Sequence, residues 1–234
     1  MLRISREMLT RLEHEARRDF AQELQRWWSA RFPWFVELLH DDDDAEATAL
    51  QVIEEAASWQ YLRKGDILRY SVGYVFFGSR FADNPLHENL MQRCYWRAPV
   101  APGLRVARIL QHVDMLTWDG TFSEPRGCLL NIPELADGPV APPSPPNLAS
   151  ALRDIPARRL VHLDLDALEP FLERTLPMLS ASGVPEAWRL RGALLGVLLG
   201  WNYPQSPAYA WLIAAMRRDD ADTIMRGLRG STHT

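Results

Sequence analysis

Apolar residues recur at helical spacing along most of this 234-residue chain. In residues 5–31 they step by three or four, with Arg and Glu on the opposite face, which predicts a long amphipathic helix. The positions of that stripe are Leu9, Leu12, Ala16, Phe20, Leu24 and Trp27. Similar patterns predict a helix over about 104–116 and a short final helix over about 219–229. The chain is therefore expected to be mostly α-helical.

Two further segments are apolar around nearly the whole helical circumference, which is typical of helices buried in a core. They read I-L-R-Y-S-V-G-Y-V-F-F before Gly78 and L-R-G-A-L-L-G-V-L-L before Gly200. Glycine most readily takes the left-handed conformation that closes a helix. Each segment therefore predicts a buried helix that ends at its glycine.

The residues that follow these two glycines match over thirteen positions, 122 positions apart. The first copy reads G-S-R-F-A-D-N-P-L-H-E-N-L and the second reads G-W-N-Y-P-Q-S-P-A-Y-A-W-L. Asn or Ser followed by Pro is a good start for a helix, and the aromatic residue is expected to cover the corner with apolar surface. The shared positions are Gly78, Phe81, Asn84, Pro85 and Leu90 in the first copy, and Gly200, Tyr203, Ser206, Pro207 and Leu212 in the second.

Weaker matches at the same spacing continue upstream, so residues 44–95 and 166–218 are interpreted as two diverged copies of a three-helix unit. The matched positions are Leu50, Leu68, Arg69 and Val75, and Leu172, Leu190, Arg191 and Val197. The alternative is two unrelated helix corners that share capping residues. In the second unit, Pro177 is expected to kink or end the first helix.

The sequence predicts two helical lobes, residues 1–136 and 148–234, joined by a proline-rich linker over 137–147. The linker reads D-G-P-V-A-P-P-S-P-P-N, a composition that favours neither helix nor central strand. Residues 117–135 include a hairpin-type turn at Asp119-Gly120, so a few short strands are possible there.

No familiar catalytic signature is present: the chain has no G-x-S-x-G, H-E-x-x-H, Walker-type or G-x-G-x-x-G motif. Its histidines are scattered, with none three or four residues from another, so no helix presents a histidine pair to a metal. These histidines are His14, His40, His87, His112, His162 and His233. No catalytic, cofactor-binding or metal-binding residue is therefore assigned.

The best metal-like string is His162-x-Asp164-x-Asp166, whose side chains would share one face of an extended strand. The interpretation favoured here is that Asp164 or Asp166 caps the following helix, with Glu169 completing a box-like arrangement. The run Asp41–Asp44 is expected to be a solvated loop leading into a helix, because neighbouring aspartates rarely converge on one ion.

Two other residue types could carry chemistry. His87 and Glu88 fall in the first turn of the helix after Asn84-Pro85, and Tyr209 replaces His87 in the second copy. That replacement favours a shared packing role. Cys94 as a nucleophile would need a nearby base. A bridge between Cys94 and Cys128 is possible, but free cysteines are favoured.

Composition excludes some partners. The net charge of −4 gives no electrostatic case for binding nucleic acid. No stretch reaches the length of about 18 apolar residues that suggests a membrane span, and the N-terminus does not look like a secretory signal. A cytoplasmic location is expected. Nine Trp residues are many, and large aromatics often serve interfaces as well as cores.

Residues 2–90 resemble a family of small bacterial proteins encoded among type VI secretion genes, beside spike-tip and effector genes. The similar motifs are R-I-S-R-E-M-L-T-R-L-E, R-F-P and F-G-S-R-F-A-D-N-P. The chain departs from that family at Arg80, where the family usually has an acidic residue after proline. The resemblance implies a helical accessory protein that binds an effector, a spike component or a toxin, and it implies no catalytic residue.

The expected function is therefore that of a non-enzymatic, protein-binding accessory factor without a cofactor, an effector adaptor or chaperone of a type VI secretion system. An immunity protein that neutralises a toxin is a second hypothesis, set lower because such proteins tend to be more strongly charged. An enzyme or secreted effector with an unfamiliar helical site is the third. A pocket lined by His112, His162, Asp164 or Cys94 would favour it.

Overall fold

The computed structural model describes residues 6–39, 41–92, 101–118, 142–153 and 163–229, and every regular element in those ranges is helical. The α-helices are α1 (Arg6–Arg31), α2 (Pro33–Val36), α3 (Asp42–Ser58), α4 (Lys64–Phe77), α5 (Glu88–Met91), α6 (Pro102–Trp118), α7 (Pro145–Leu152), α8 (Leu168–Ala181), α9 (Arg189–Leu199), α10 (Ala210–Arg217) and α11 (Ala221–Arg229). Short 3-10 turns cover Phe81–Asp83, Pro85–His87, Leu165–Ala167, Glu186–Trp188, Tyr203–Gln205 and Pro207–Tyr209. The mostly helical fold predicted from the apolar pattern is confirmed.

The elements around the two glycines correspond closely. Helices α4 and α9 end one residue before Gly78 and Gly200, and each is followed by two 3-10 turns and then another α-helix. The ends of α4 and α9, the bounds of the 3-10 turns and the starts of α5 and α10 recur at the spacing of 122 found in the sequence. We call the segments Gly78–Leu90 and Gly200–Leu212 the first and second corners. Their common origin by duplication stays a prediction.

Two predicted boundaries were wrong. The aspartate run is not a loop: Asp41 caps α3 by accepting a 2.8 Å hydrogen bond from the Asp44 amide, and the next three aspartates form the first helical turn. The last three residues of the predicted linker are helical, because Ser144 caps α7 and Pro145 begins it. Residues 137–141 of that linker, and 119–135 of the possible strand region, lie outside the described residues.

Helix α8 shows that an interior proline need not end a helix. It continues through Pro177 to Ala181, although proline removes one backbone hydrogen bond. Burial of its apolar face, which includes Phe171, Leu172 and Leu179, offsets that loss. Pro177 was predicted to kink or end this helix; it does not end the helix, and the kink stays a prediction.

The described helices share one continuous hydrophobic core. Helix α1 packs against α3, α4 lies between α3 and α6, and α7 packs against α8 and α9. The predicted division into lobes at 137–147 falls mostly outside the described residues and stays a prediction. None of the described helices is long and apolar enough to span a membrane.

The two halves of the chain are interlocked at the corners. Helix α3 packs against the turn Pro207–Tyr209 of the second corner, and α8 packs against the turn Pro85–His87 of the first. A turn of the second corner therefore covers α3 of the first half, and a turn of the first corner covers α8 of the second half.

Gly78 and Gly200 touch each other where the two corners cross. Their φ angles are +83° and +91°, which other residues rarely adopt. A Cβ on Gly78 would overlap the carbonyl of Leu199, and one on Gly200 would lie 2.6 Å from the backbone of Ser79. Their positive φ agrees with the predicted helix ends, and the close approach of the two backbones is an additional requirement.

Candidate functional site

The aromatic residue of each corner points into the core rather than covering the corner, so that prediction was wrong. Phe81 and Tyr203 are fully buried. Gly73 makes room for Phe81, because a Cβ there would lie 2.5 Å from the ring. Gly192 makes room for Tyr203 and Leu179, because a Cβ there would lie 3.2 Å from Tyr203 Oη and 2.9 Å from the Leu179 side chain. These buried rings hold each corner against the helix that precedes it.

A polar cleft of about 350 Å³ opens where the two corners meet α3. We call it the Glu55 cleft. Its lining comes from α3, α4 and both corners: Gln51, Glu54, Glu55, Ser58, Trp59, Tyr70, Arg80, Asp83, Asn202 and Gln205.

Glu55 is the most unusual group in this cleft because it is a buried carboxyl, 7% exposed. It accepts hydrogen bonds from Ser79 Oγ at 2.9 Å, the Arg80 amide at 3.0 Å and Tyr70 Oη at 3.3 Å. Burial raises the pKa of Glu55 above its usual value, while the bonds from Arg80 and Ser79 lower it in part. The cleft can therefore hold a proton on Glu55 at a higher pH than an exposed glutamate could.

The hydrogen bonds of Glu55 continue into a buried network that joins the two halves. Ser79 Oγ accepts from Gln51 Nε2 at 3.2 Å and from Asn202 Nδ2 at 3.5 Å. Gln51 Oε1 lies 3.0 Å from Ser206 Oγ and 3.3 Å from Tyr74 Oη. Tyr74 Oη and Ser206 Oγ are 2.9 Å apart. Ser206, predicted as a cap, instead bonds across to the first half.

An aromatic patch lies at the α1–α2 end of the same half. It consists of Trp27, Phe32, Trp34 and Phe76, each partly buried against the core. Trp27 and Phe76 meet Phe32 edge to face, with ring centroids 5.4 and 5.7 Å away, and Trp34 lies 6.2 Å from Phe76. Behind the patch, Phe35 contacts Trp34 and Tyr74. The patch therefore rests on the residues that support the buried network.

The metal-like string serves a structural role as far as it is described. Asp164 Oδ1 accepts from the Asp166 amide at 3.2 Å, and its Oδ2 accepts from Asn89 Nδ2 at 2.7 Å. The capping interpretation is confirmed for Asp164. Within the described ranges, no three His, Cys, Asp or Glu residues are grouped as a metal site would need.

His87 and Tyr209 occupy matching buried places in the two corners, in agreement with a packing role. The His87 ring meets Phe77 edge to face at 5.3 Å, and its Nδ1 lies 3.3 Å from the carbonyl oxygen of Phe81. Burial lowers the pKa of His87 to about 4. Tyr209 packs against Tyr203 with ring centroids 6.1 Å apart.

The remaining candidates do not come together in the described structure. Glu88 is exposed at the start of α5, and the backbone of His112 lies in α6. Asp164 does not line the Glu55 cleft. The candidates Cys94, Cys128 and His162 lie outside the described residues.

Sequence reasoning missed Glu55 and the aromatic patch. One signal for Glu55 was present, since it falls three residues after Val52 and seven after Thr48, two buried positions on the inner face of α3. The patch gave no comparable signal, because its rings come from α1, α2, α4 and the residue between the first two. Only the tertiary structure brings them together.

Comparison with known proteins gives no relative for this fold. No family model matches the chain, and neither a curated protein nor a solved structure is significantly similar to it.

Proposed function

We propose that this protein is a non-enzymatic accessory factor that binds another protein, an effector adaptor or chaperone of a bacterial type VI secretion system. The aromatic patch supports binding most directly. Tryptophan is among the residues enriched at the centres of protein interfaces, where a few side chains supply most of the affinity. Four rings already packed on one another lose little side-chain freedom when a partner covers them.

The assignment to type VI secretion is supported by the resemblance of residues 2–90 to proteins encoded among those genes. The partner would then be an effector, a spike-tip component or a cognate toxin, bound in the cytoplasm. Surface complementarity around the aromatic patch would be the mechanism, and the proposal needs no cofactor.

The test is co-purification of the tagged full-length chain from its native host, followed by mass spectrometry. Trp27→Ala and Trp34→Ala each remove one ring of the patch. We expect the wild type to recover an effector or spike subunit, and each variant to bind it at least about tenfold more weakly. Trp201→Ala is the matched control, because it removes a half-buried tryptophan from the second corner.

Circular dichroism would establish that all three variants are folded. Recovery of no secretion component by the wild type would contradict the type VI assignment. Equal binding by the patch variants and the wild type would show that the patch is not the interface. Recovery of a toxin whose activity the protein blocks would favour the immunity hypothesis instead.

The Glu55 cleft is a specific observation in favour of the enzyme or effector hypothesis, because a buried carboxyl with a raised pKa in a cleft is typical of active sites. Expression of the chain alone would then slow the growth of a host cell. Glu55→Gln should abolish that effect, whereas Glu54→Gln, which changes an exposed carboxylate of the same cleft, should not. Normal growth during wild-type expression would argue against this second function.

A further inference from the structure

A second cavity, of about 230 Å³, lies between the first corner and α8. We call it the Asn84 pocket. Asn84, Pro85 and Glu88 line it from the first corner, and Pro170 and Arg174 line it from α8. It shares no residue with the aromatic patch.

Asn84 contributes an unsatisfied hydrogen-bond donor to this pocket. The residue is 2% exposed, and its Oδ1 accepts a 3.1 Å hydrogen bond from the Leu86 amide. Its Nδ2 is shielded from solvent and has no hydrogen-bond partner in the described part of the chain. A buried donor without an acceptor costs about 1–3 kcal/mol, so a ligand that supplies an acceptor would recover part of that energy.

The remaining lining limits the charge of the ligand. Arg174 donates a 2.7 Å hydrogen bond to the carbonyl oxygen of Asp83, and its guanidinium stacks 5.7 Å from the ring of Trp201. The carboxylates of Asp83 and Glu88 outnumber this one cation at the pocket. Glu88 Oε1 also accepts from Gln92 Nε2 at 3.2 Å. A neutral acceptor next to a cationic group therefore suits the pocket better than an anion does.

We infer that the Asn84 pocket binds a segment of polypeptide, whose backbone carbonyl accepts from Asn84 Nδ2 and whose neighbouring lysine or arginine lies near Glu88 and Asp83. Pro85, Pro170 and Met91 supply the apolar wall on which such a segment rests. Met91 has three rotatable bonds, so its side chain can adapt to a bound segment without a change of backbone. The inference does not depend on the proposed function, since it concerns different residues.

The experiment is NMR titration of the full-length chain, with the side-chain amide signal of Asn84 as the readout. The probes are a capped lysine residue, the capped alanine and glutamate equivalents, and a capped heptapeptide with a central lysine. We expect the Asn84 signal to shift in a saturable way, with lysine bound most tightly and glutamate least. The heptapeptide should bind about tenfold more tightly than capped lysine, because it covers more apolar wall.

Asn84→Ser is the main variant. It keeps a side-chain oxygen that can cap the turn but removes the amide donor. Heptapeptide binding, followed through backbone signals of the pocket, should weaken about fivefold to tenfold. Ser206→Ala, which alters the matching position of the other corner, should leave the affinity unchanged.

A probe-insensitive Asn84 signal, or undiminished heptapeptide binding by Asn84→Ser, would overturn the site. Tighter binding of the glutamate probe would overturn the assignment of a cationic ligand. Equal affinity for capped lysine and the heptapeptide would overturn the assignment of a polypeptide in favour of a small amide.

Discussion

The two corners follow the same backbone path but use their polar side chains differently. Ser206 in the second corner bonds across to Gln51 and Tyr74 of the first half. Asn84, at the matching position of the first corner, bonds only to its own turn through Oδ1. The glycine, the buried aromatic ring and the proline are thus enough to specify the path. The polar residues differ, and they are what make each corner chemically distinct.

The helices that cover the corners show the same asymmetry. In helix α3, Gln51 bonds to Ser206 of the second corner and Glu55 bonds to Ser79 and Arg80 of the first. The positions 122 residues later, in α8, are Glu173 and Pro177. The buried network around Glu55 therefore has no equivalent on the α8 side.

The largest expected effect comes from substitution of either glycine at the crossing. Gly78→Ala and Gly200→Ala each place a Cβ against backbone of the other corner, at a positive φ. Each should lower the free energy of unfolding by about 4 kcal/mol or more, measured by urea titration of tryptophan fluorescence. Gly65→Ala is the control, because nothing lies within 4 Å of its added Cβ. If only one of the two glycine variants lost about 4 kcal/mol or more, the close contact at the crossing would be required by one corner and not by the other.

The next largest effect is a loss of stability as pH falls, which should depend on His87 and not on Tyr209. The pKa of His87 is lowered from 6.5 to about 4 in the folded protein. Between those values the unfolded chain binds a proton that the folded chain does not, so stability is lost as pH falls through this window. The loss should approach about 3 kcal/mol in urea titrations, and it should be absent from His87→Phe.

Tyr209→Phe is the matched control and should keep the wild-type pH dependence, because burial raises the pKa of Tyr209 above its usual value. Glu55 acts in the opposite direction. Its raised pKa means that its contribution is fully present below pH 4.5 and is lost as pH rises through its folded pKa. The difference in the free energy of unfolding between wild type and His87→Phe isolates the contribution of His87, because Glu55 is present in both proteins. If that difference did not change with pH, the burial of a neutral His87 would be contradicted.

The smallest effects concern the caps near the starts of α3 and α8. Asp41→Ala and Asp164→Ala each remove an acceptor of a turn amide, and each should cost about 1 kcal/mol in thermal unfolding. Asp43→Ala, at an exposed first-turn position, should cost under about 0.5 kcal/mol. Added magnesium or calcium should leave the unfolding temperature of the wild type unchanged. A rise with metal that Asp41→Ala abolishes would restore the metal interpretation of the aspartate run.

Features encoded in short stretches of sequence were predictable. The apolar stripe of α1, the glycines that end α4 and α9, and the Asn84-Pro85 start all depend on neighbours in sequence. The contact between Gly78 and Gly200 was not predictable, because local patterns do not say which distant backbones meet. The inward direction of Phe81 depends likewise on Gly73, whose role as an empty space is visible only in three dimensions.

The candidate sites were harder to predict than the helices for the same reason. Glu55 looks like one of two adjacent acidic residues until Ser79 and Tyr70 are seen around it. Ser206 was identified as a helix cap from its proline, yet its hydroxyl is used by the network. In both cases, contacts between distant parts of the chain override a local preference.

The interlocking of the halves also bears on the order in which the chain matures on the ribosome. Helix α3 is synthesised well before residues 207–209, which pack against it. During synthesis, part of the apolar face of α3 stays exposed to solvent while some 150 further residues are added. That interval is a period of exposure to chaperones and to unwanted association, and it ends only after residues 207–209 have been synthesised.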